Sequence, residues 1–242
     1  MENYHTYHEG EFGTSEYRVY FLHNNRPVSP FHDIPTWASK KNKVVNMVVE
    51  IPRETQHKLE ISTNNFMNPI KHDIKKGKIR IVAYPYPANY GAIPQTWENP
   101  NIVNELTGAK GDNDPIDIFD ISMNSGKIGQ IKQVKILTAF AMVDEGETDW
   151  KVIGIDINDP LADKLENSDS IEKVMPNLLN KIFMFLRDYK IPDGKPQNRF
   201  AFNGKPISKE LTSEIINDGH MEWKKLFNHE NNSSGMALIK TV

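Results

Sequence analysis

Strand signals and helix signals are segregated along this chain, and that segregation does most to limit its architecture. From Glu16 to about Asp156, β-branched and aromatic residues mark strands at Tyr17 to Phe21, Val44 to Ile51, His57 to Ile61, Lys78 to Ala83, Ile116 to Ile121, Gln130 to Val143 and Trp150 to Asp156. Helical periodicity arrives only after Pro176, where Leu178, Leu179, Ile182, Phe183, Leu186 and Tyr189 recur at i, i+3, i+4 spacing before Pro192 stops the helix. A second helix starts near Ser208 and turns Leu211, Ile215, Trp223, Leu226 and Phe227 inward. Strands followed by helices give a mainly β, α+β fold with predominantly antiparallel pairing, and a small closed barrel would leave no exposed edge.

With 242 residues, 38% hydrophobic and 25% charged, the chain is sized for one globular domain over 1–242, with a core of about 16–228 and polar termini. Pro and Gly are spread evenly, with no linker, repeat or low-complexity tract. A net charge of −3 offers no basic field for nucleic acid or an anionic membrane, so an anionic ligand must be drawn by local groups. The absence of cysteine excludes disulfides, thiolate zinc sites and cysteine nucleophiles. Met1 to Thr14 is polar and Ile136 to Val143 is too short to span a bilayer, so the expectation is a soluble cytoplasmic protein. The eight histidines lack ligand spacing, His5 and His8 falling in a terminus expected to fray. The N-x-Ser triplets at Asn231 and Asn232 read as an unmodified polar tail.

Three aspartates fall within six residues at Asp112, Asp114 and Asp117. Two carboxylates about 5 Å apart repel by roughly 3 kcal/mol at an effective dielectric near 20, so a buried set needs protons or a divalent cation. Oxygen-only donors favour magnesium and its hard relatives. In an extended chain Asp112 and Asp114 share a face, and Pro115 turns the path so that Asp117 can oppose them. The other reading is a solvated turn, built from common turn residues. An EF-hand starting at Asp112 fails at Ile116, Asp117 and Met123. The DxDx[TV] pattern of haloacid-dehalogenase-like phosphatases fits poorly, with Ile116 in fifth place and no buried strand over Leu106 to Gly111.

Further acids and bases extend the cluster. Asp144 and Asp149 end an acidic loop with Lys151 on the same face as Asp149, while Lys58 and Glu60 share a strand face opposite Glu50. Arg80 sits between Ile79 and Ile81, and Tyr189-Lys190 closes the first helix. Singly these are a solvated hairpin, cross-strand ion pairs and a dipole-paired lysine. Together they supply acids for several cations and donors for phosphate oxygens, as phosphoryl transfer to water requires.

The run Asp112-Asn113-Asp114-Pro115-Ile116-Asp117-Ile118 resembles the signature of soluble family I inorganic pyrophosphatases. The likeness to the eukaryotic branch extends through Asn46 to Arg53, Lys75 to Lys78, Asn89 to Trp97, Asp144 to Val152, Asp156 to Leu161 and Tyr189 to Pro196, covering roughly 16–228. It implies an OB-type five-stranded β-barrel with additional strands and two C-terminal helices, hydrolysing pyrophosphate to two orthophosphates through a metal-bridging water that attacks phosphorus in line. It also implies several Mg2+ ions per site, with Mn2+, Zn2+ or Co2+ as substitutes. By the same resemblance Asp112, Asp117 and Asp149 hold the tightest metals, Asp144 and Glu60 hold further ones, and Asp114 is the general base. Lys58, Arg80, Tyr90, Lys151, Tyr189 and Lys190 bind phosphate and Glu50 lines the cavity, with Lys58, Arg80 and Tyr90 counted among the catalytic residues. The partners implied are pyrophosphate and phosphate, without nucleic acid or membrane, in a homodimer with a monomer as the alternative.

Two departures stand out. The segment Ile81 to Asn89 is shorter than the eukaryotic loop, leaving Tyr86 as the candidate for a second active-site tyrosine. The chain also ends soon after the second helix and carries Glu54 where an aromatic interface residue is expected. An OB barrel gripping single-stranded nucleic acid would want basic and stacking side chains rather than a centre of acids. A phosphohydrolase of polyphosphate or a nucleoside triphosphate is the nearer rival.

Overall fold

A computed structural model of the chain describes residues 3–227 and 236–237. Five strands close on themselves: Val44–Ile51 pairs with Asn89–Ala92, then Asp117–Asp120, Glu147–Asp156 and Ile131–Asp144, which returns to Val44–Ile51. This ring is the expected OB-type barrel. The antiparallel expectation holds around it except where Glu147–Asp156 runs parallel to Asp117–Asp120 and to Lys110–Gly111. Between Asp144 and Glu147 the turn is two residues, Glu145 and Gly146, both at positive φ (49° and 98°), which matches the twist of a tight hairpin.

Alternate residues of the barrel strands enter two cores. Val45, Met47, Val49, Ile118, Val134, Ile136, Val152 and Trp150 gather with Ile215 and Ile216 of a C-terminal helix, as a plugged lumen should. The opposite faces, with Val48, Phe119, Phe140 and Ile153, pack outward against an N-terminal sheet and two further helices. That outer face carries the polar site.

The helices are α1 (Ser168–Val174), α2 (Leu178–Asp188) and α3 (Lys209–Phe227). α2 buries Leu179, Ile182 and Leu186, and Pro192 lies in the 3-10 turn that follows it, as the periodicity indicated. α1, capped by Asn167, is additional to the two helices read from sequence. α3 buries Ile215, Trp223 and Leu226 and half-buries Leu211; the side chain of Phe227 and residues Asn231 and Asn232 lie outside the described set.

One expectation is corrected at the N-terminus. Tyr4–Glu9, read as a frayed end, forms a strand paired with Arg18–His23 from Tyr4 opposite His23 to Glu9 opposite Arg18. Its side chains face mainly outward, so hydropathy carried no signal. Backbone pairing and a 2.8 Å contact between His8 Nδ1 and the Tyr17 hydroxyl hold it. The expected strand Lys78 to Ala83 shrinks to Lys78–Ile79, with Ile81 in an isolated bridge to His57.

Candidate functional site

The acidic run is a turn, with Asp112 and Asn113 half-buried and Asp114 exposed. The Asp114 amide donates to Asp112 Oδ1 at 3.0 Å, and Asn113 sits at φ 74°, a left-handed conformation that Asn tolerates. The shared face inferred for an extended chain is thereby broken. Asp112 turns toward Asp149 and Glu98, while Asp114 enters a cavity of ≈ 40 Å³ lined also by Glu50, Lys58, Glu60, Tyr90 and Asp117. Glu98 and its neighbours pin the turn: the Glu98 amide donates to Asp114 O at 2.9 Å, and the Asn113 amide donates to Glu98 O at 2.9 Å. Gly111 permits this approach, because a Cβ there would lie 2.2 Å from the Glu98 carbonyl carbon.

Barrel register sets the next layer. Asp117 stands opposite Lys151 in the parallel ladder, and the Lys151 ammonium donates to Asp117, lies 2.5 Å from Asp149 Oδ1, and donates to the Tyr90 hydroxyl at 3.1 Å. Tyr90 in turn donates to Asp117. Burial works against the charged form of Lys151, but Asp117 and Asp149 outweigh it and raise its pKa well above the ordinary value. Burial and the Asp117 charge raise Tyr90.

A third layer comes from outside the barrel. Lys58 pairs with Glu60 at 2.9 Å, and the Ile61 amide donates to Glu50 Oε1 at 2.7 Å. Arg80 reaches Asp73 at 3.2 Å and lies over the Tyr189 ring at 5.8 Å. At the end of α2, Tyr189 donates to Asp144 at 3.2 Å and Lys190 donates to both Asp144 oxygens. Tyr86 is buried with its ring 5.1 Å from that of Tyr90; burial pushes its hydroxyl up to about 12 against the pull of Lys58, Lys151 and Arg80. Of the residues singled out from the sequence, Glu50, Lys58, Glu60, Tyr90, Asp114 and Asp117 line one cavity, Lys151 joins Asp117 to Asp149, and Tyr189 and Lys190 meet on Asp144.

The electrostatics ask for positive charge. Asp114 is open to solvent at the mouth of the cleft but enclosed elsewhere, and that enclosure, then Glu60, pushes it up to about 7. Burial and Asp117 push Asp149 up to about 7, despite Lys151. Burial followed by Asp149 raises Asp112, and burial followed by Asp117 raises Glu50. One carboxylate was missed from sequence: Glu98, whose oxygen lies within 4.8 Å of oxygens from both Asp112 and Asp149. Nothing in its Trp-Glu-Asn-Pro context spaces it as a ligand; the close approach of Gly111 is the only local sign. A dense set of oxygen donors, with Glu98 Oε2 buried and lacking a hydrogen-bond partner among the described residues, fits a hard divalent cation.

Comparison with known proteins agrees. The family model described as inorganic pyrophosphatase matches residues 47–224. An inorganic pyrophosphatase of Dictyostelium discoideum is 53% identical over 239 residues, covering 99% of this chain and 85% of that protein. The inorganic pyrophosphatase structure from Schistosoma japonicum superposes with a TM-score of 0.95 at 42% identity, covering 98% of this chain and 86% of the other. The N-terminally truncated vacuolar soluble pyrophosphatase of Trypanosoma cruzi, solved in complex with PPi, gives 0.89 at 39% identity, covering 93% and 91%.

Proposed function

The chain belongs to the inorganic pyrophosphatase family and hydrolyses inorganic pyrophosphate to two orthophosphates with a divalent cation as cofactor, and from that premise we propose how its residues divide the work. Asp112, Asp117 and Asp149 hold the most tightly bound cations, Asp144 and Glu60 hold further ones, and Mg2+ is the resident ion, with Mn2+, Zn2+ or Co2+ as substitutes. Bound there, divalent cations supply Lewis acidity, polarising phosphoryl oxygens and acidifying water.

The observation that carries the assignment is the gathering of Glu50, Lys58, Glu60, Tyr90, Asp114 and Asp117 about one cavity, with Lys151 joining Asp117 to Asp149 and with Tyr189 and Lys190 on Asp144. Asp114 stands in the cavity where it can accept a proton from the attacking water. The water oxygen bonds to one phosphorus as the bond to the bridging oxygen breaks, and the leaving phosphate takes the electron pair. Lys58, Arg80, Tyr90, Lys151, Tyr189 and Lys190 hold the phosphate oxygens and stabilise that charge. Glu50, fixed by the Ile61 amide, shapes the wall between Lys58 and Asp117.

The resemblance to the eukaryotic branch also supports a homodimer, a cytoplasmic location and a single domain over 1–242. No helix among the described residues is long and apolar enough to cross a membrane. Steady-state rates on pyrophosphate, tripolyphosphate and ATP, first with Mg2+ and then with Mn2+, Zn2+ or Co2+, test the assignment of substrate and ion. Pyrophosphate with Mg2+ is expected to be strongly preferred; faster turnover of ATP with Mg2+ would contradict it.

A further inference from the structure

Glu98 has no part in the assignments above, yet it is a buried acid held by backbone contacts beside Asp112 and Asp149. It is 6% exposed, its Oε1 accepts the Trp150 amide at 3.1 Å, and its Oε2 is buried without a hydrogen-bond partner among the described residues. A buried carboxylate oxygen is resolved by a proton or by a cation. No described residue donates a hydrogen bond to Oε2. The spacing suits an ion: oxygens on opposite sides of a cation with bonds of about 2.1–2.4 Å stand about 4.2–4.8 Å apart. The oxygens of Glu98, Asp112 and Asp149 all lie within 4.8 Å of one another.

Charge balance points the same way. The Lys151 ammonium is committed to Asp117 and Asp149, leaving Asp112 and Glu98 without an ion-pair partner among the described residues. The position of Glu98 is also built rather than incidental. Its backbone is bonded to the acidic turn on both sides, the preceding Trp97 amide donates to Gly219 O at 2.9 Å, and the following Asn99 donates to Glu222 at 2.8 Å. The segment is thus a strut from α3 to the back of the aspartate turn.

We propose that Glu98 supplies a further carboxylate to the divalent-cation site of Asp112 and Asp149. This rests on the reading that Asp112 and Asp149 hold a cation, and the test separates the two. Mn2+ is titrated into the metal-free, full-length protein without pyrophosphate, and free Mn2+ is followed by electron paramagnetic resonance for the wild type, Glu98→Gln and Asp112→Asn. Glu98→Gln is expected to weaken the tightest Mn2+ binding by roughly tenfold or more. Its metal-free melting temperature should be no lower than that of the wild type, since a buried charge has been removed. Unchanged Mn2+ affinity in Glu98→Gln with a loss in Asp112→Asn overturns the role of Glu98 and leaves the cation reading intact. Unchanged affinity in both overturns the cation reading too. A metal-free Glu98→Gln that melts well below the wild type assigns Glu98 to the scaffold and overturns the inference.

Discussion

Lys190 donates to both carboxylate oxygens of Asp144, at 2.6 and 2.5 Å, with both side chains largely buried. An ammonium that occupies both oxygens competes with any cation for the same lone pairs. Lys151, on one oxygen each of Asp117 and Asp149, and Lys58, on one oxygen of Glu60, also hold acids of the site. On the proposed roles, cation binding and phosphate binding are linked, because a lysine displaced from its acid would be released toward phosphate oxygen.

Replacing Lys190 with Met should separate the two effects. A charge-assisted hydrogen bond is worth about 1.5–3 kcal/mol, so KM for pyrophosphate should rise by roughly 10- to 100-fold, while the Mg2+ concentration giving half-maximal activity falls. Rate measurements over a grid of pyrophosphate and Mg2+ concentrations check this. An unaltered KM would remove Lys190 from the phosphate-binding set.

Asp114→Asn keeps the shape of the turn and removes the base. Turnover should fall by about 10²- to 10⁴-fold, the usual worth of general-base catalysis, with circular dichroism and melting temperature preserved. A folded variant with wild-type turnover would defeat the assignment.

Metal-free stability should depend on pH in a direction opposite to ordinary acid unfolding. Asp114 and Asp149 stand at about 7 in the folded protein against an ordinary 3.8, so the folded state binds the extra protons between those values. Their stabilising contribution is present below 3.8 and is lost as pH rises through about 7. Surface acids such as Asp188 and Asp193, lowered by hydrogen bonds from Arg187 and Lys75, act oppositely and only near their own acidic values. The melting temperature in chelator should therefore drop from about pH 5.5 to about pH 8, and saturating Mg2+ should flatten the slope. A chelated protein that grows steadily more stable over that range would refute this.

Gly111→Ala tests the strut mechanically. With a Cβ 2.2 Å from the Glu98 carbonyl carbon, the two backbones must separate, at an expected loss of about 1–3 kcal/mol in denaturant unfolding of the metal-free protein. The displaced turn should also bind Mn2+ more weakly. Wild-type values for both quantities would show that the contact relaxes freely.

What the amino-acid pattern revealed follows burial. Val44–Ile51, buried at every position, was read to the residue, and the stripe of α2 was equally plain. Tyr4–Glu9 stayed hidden because pairing, not hydropathy, holds it, and Asn89–Ala92 because a strand of Asn, Tyr, Gly and Ala lacks β-branched residues. Within the site, the parity rule misplaced Asp112 relative to Asp114 because it assumes extended backbone, and Asn113 is left-handed. Glu98 reaches its place through packing against Gly111, a relation between segments that spacing along one segment does not encode.

Asp117 and Lys151 are 34 positions apart, yet they meet as parallel neighbours, and no hairpin can bring them together. Their encounter requires a crossover that carries the chain around the barrel wall, among the slower events of β-sheet assembly. Until that crossover is made, the aspartate turn lacks its matching ammonium. The ion pair at the centre of the site therefore forms only with closure of the ring and not within any one hairpin.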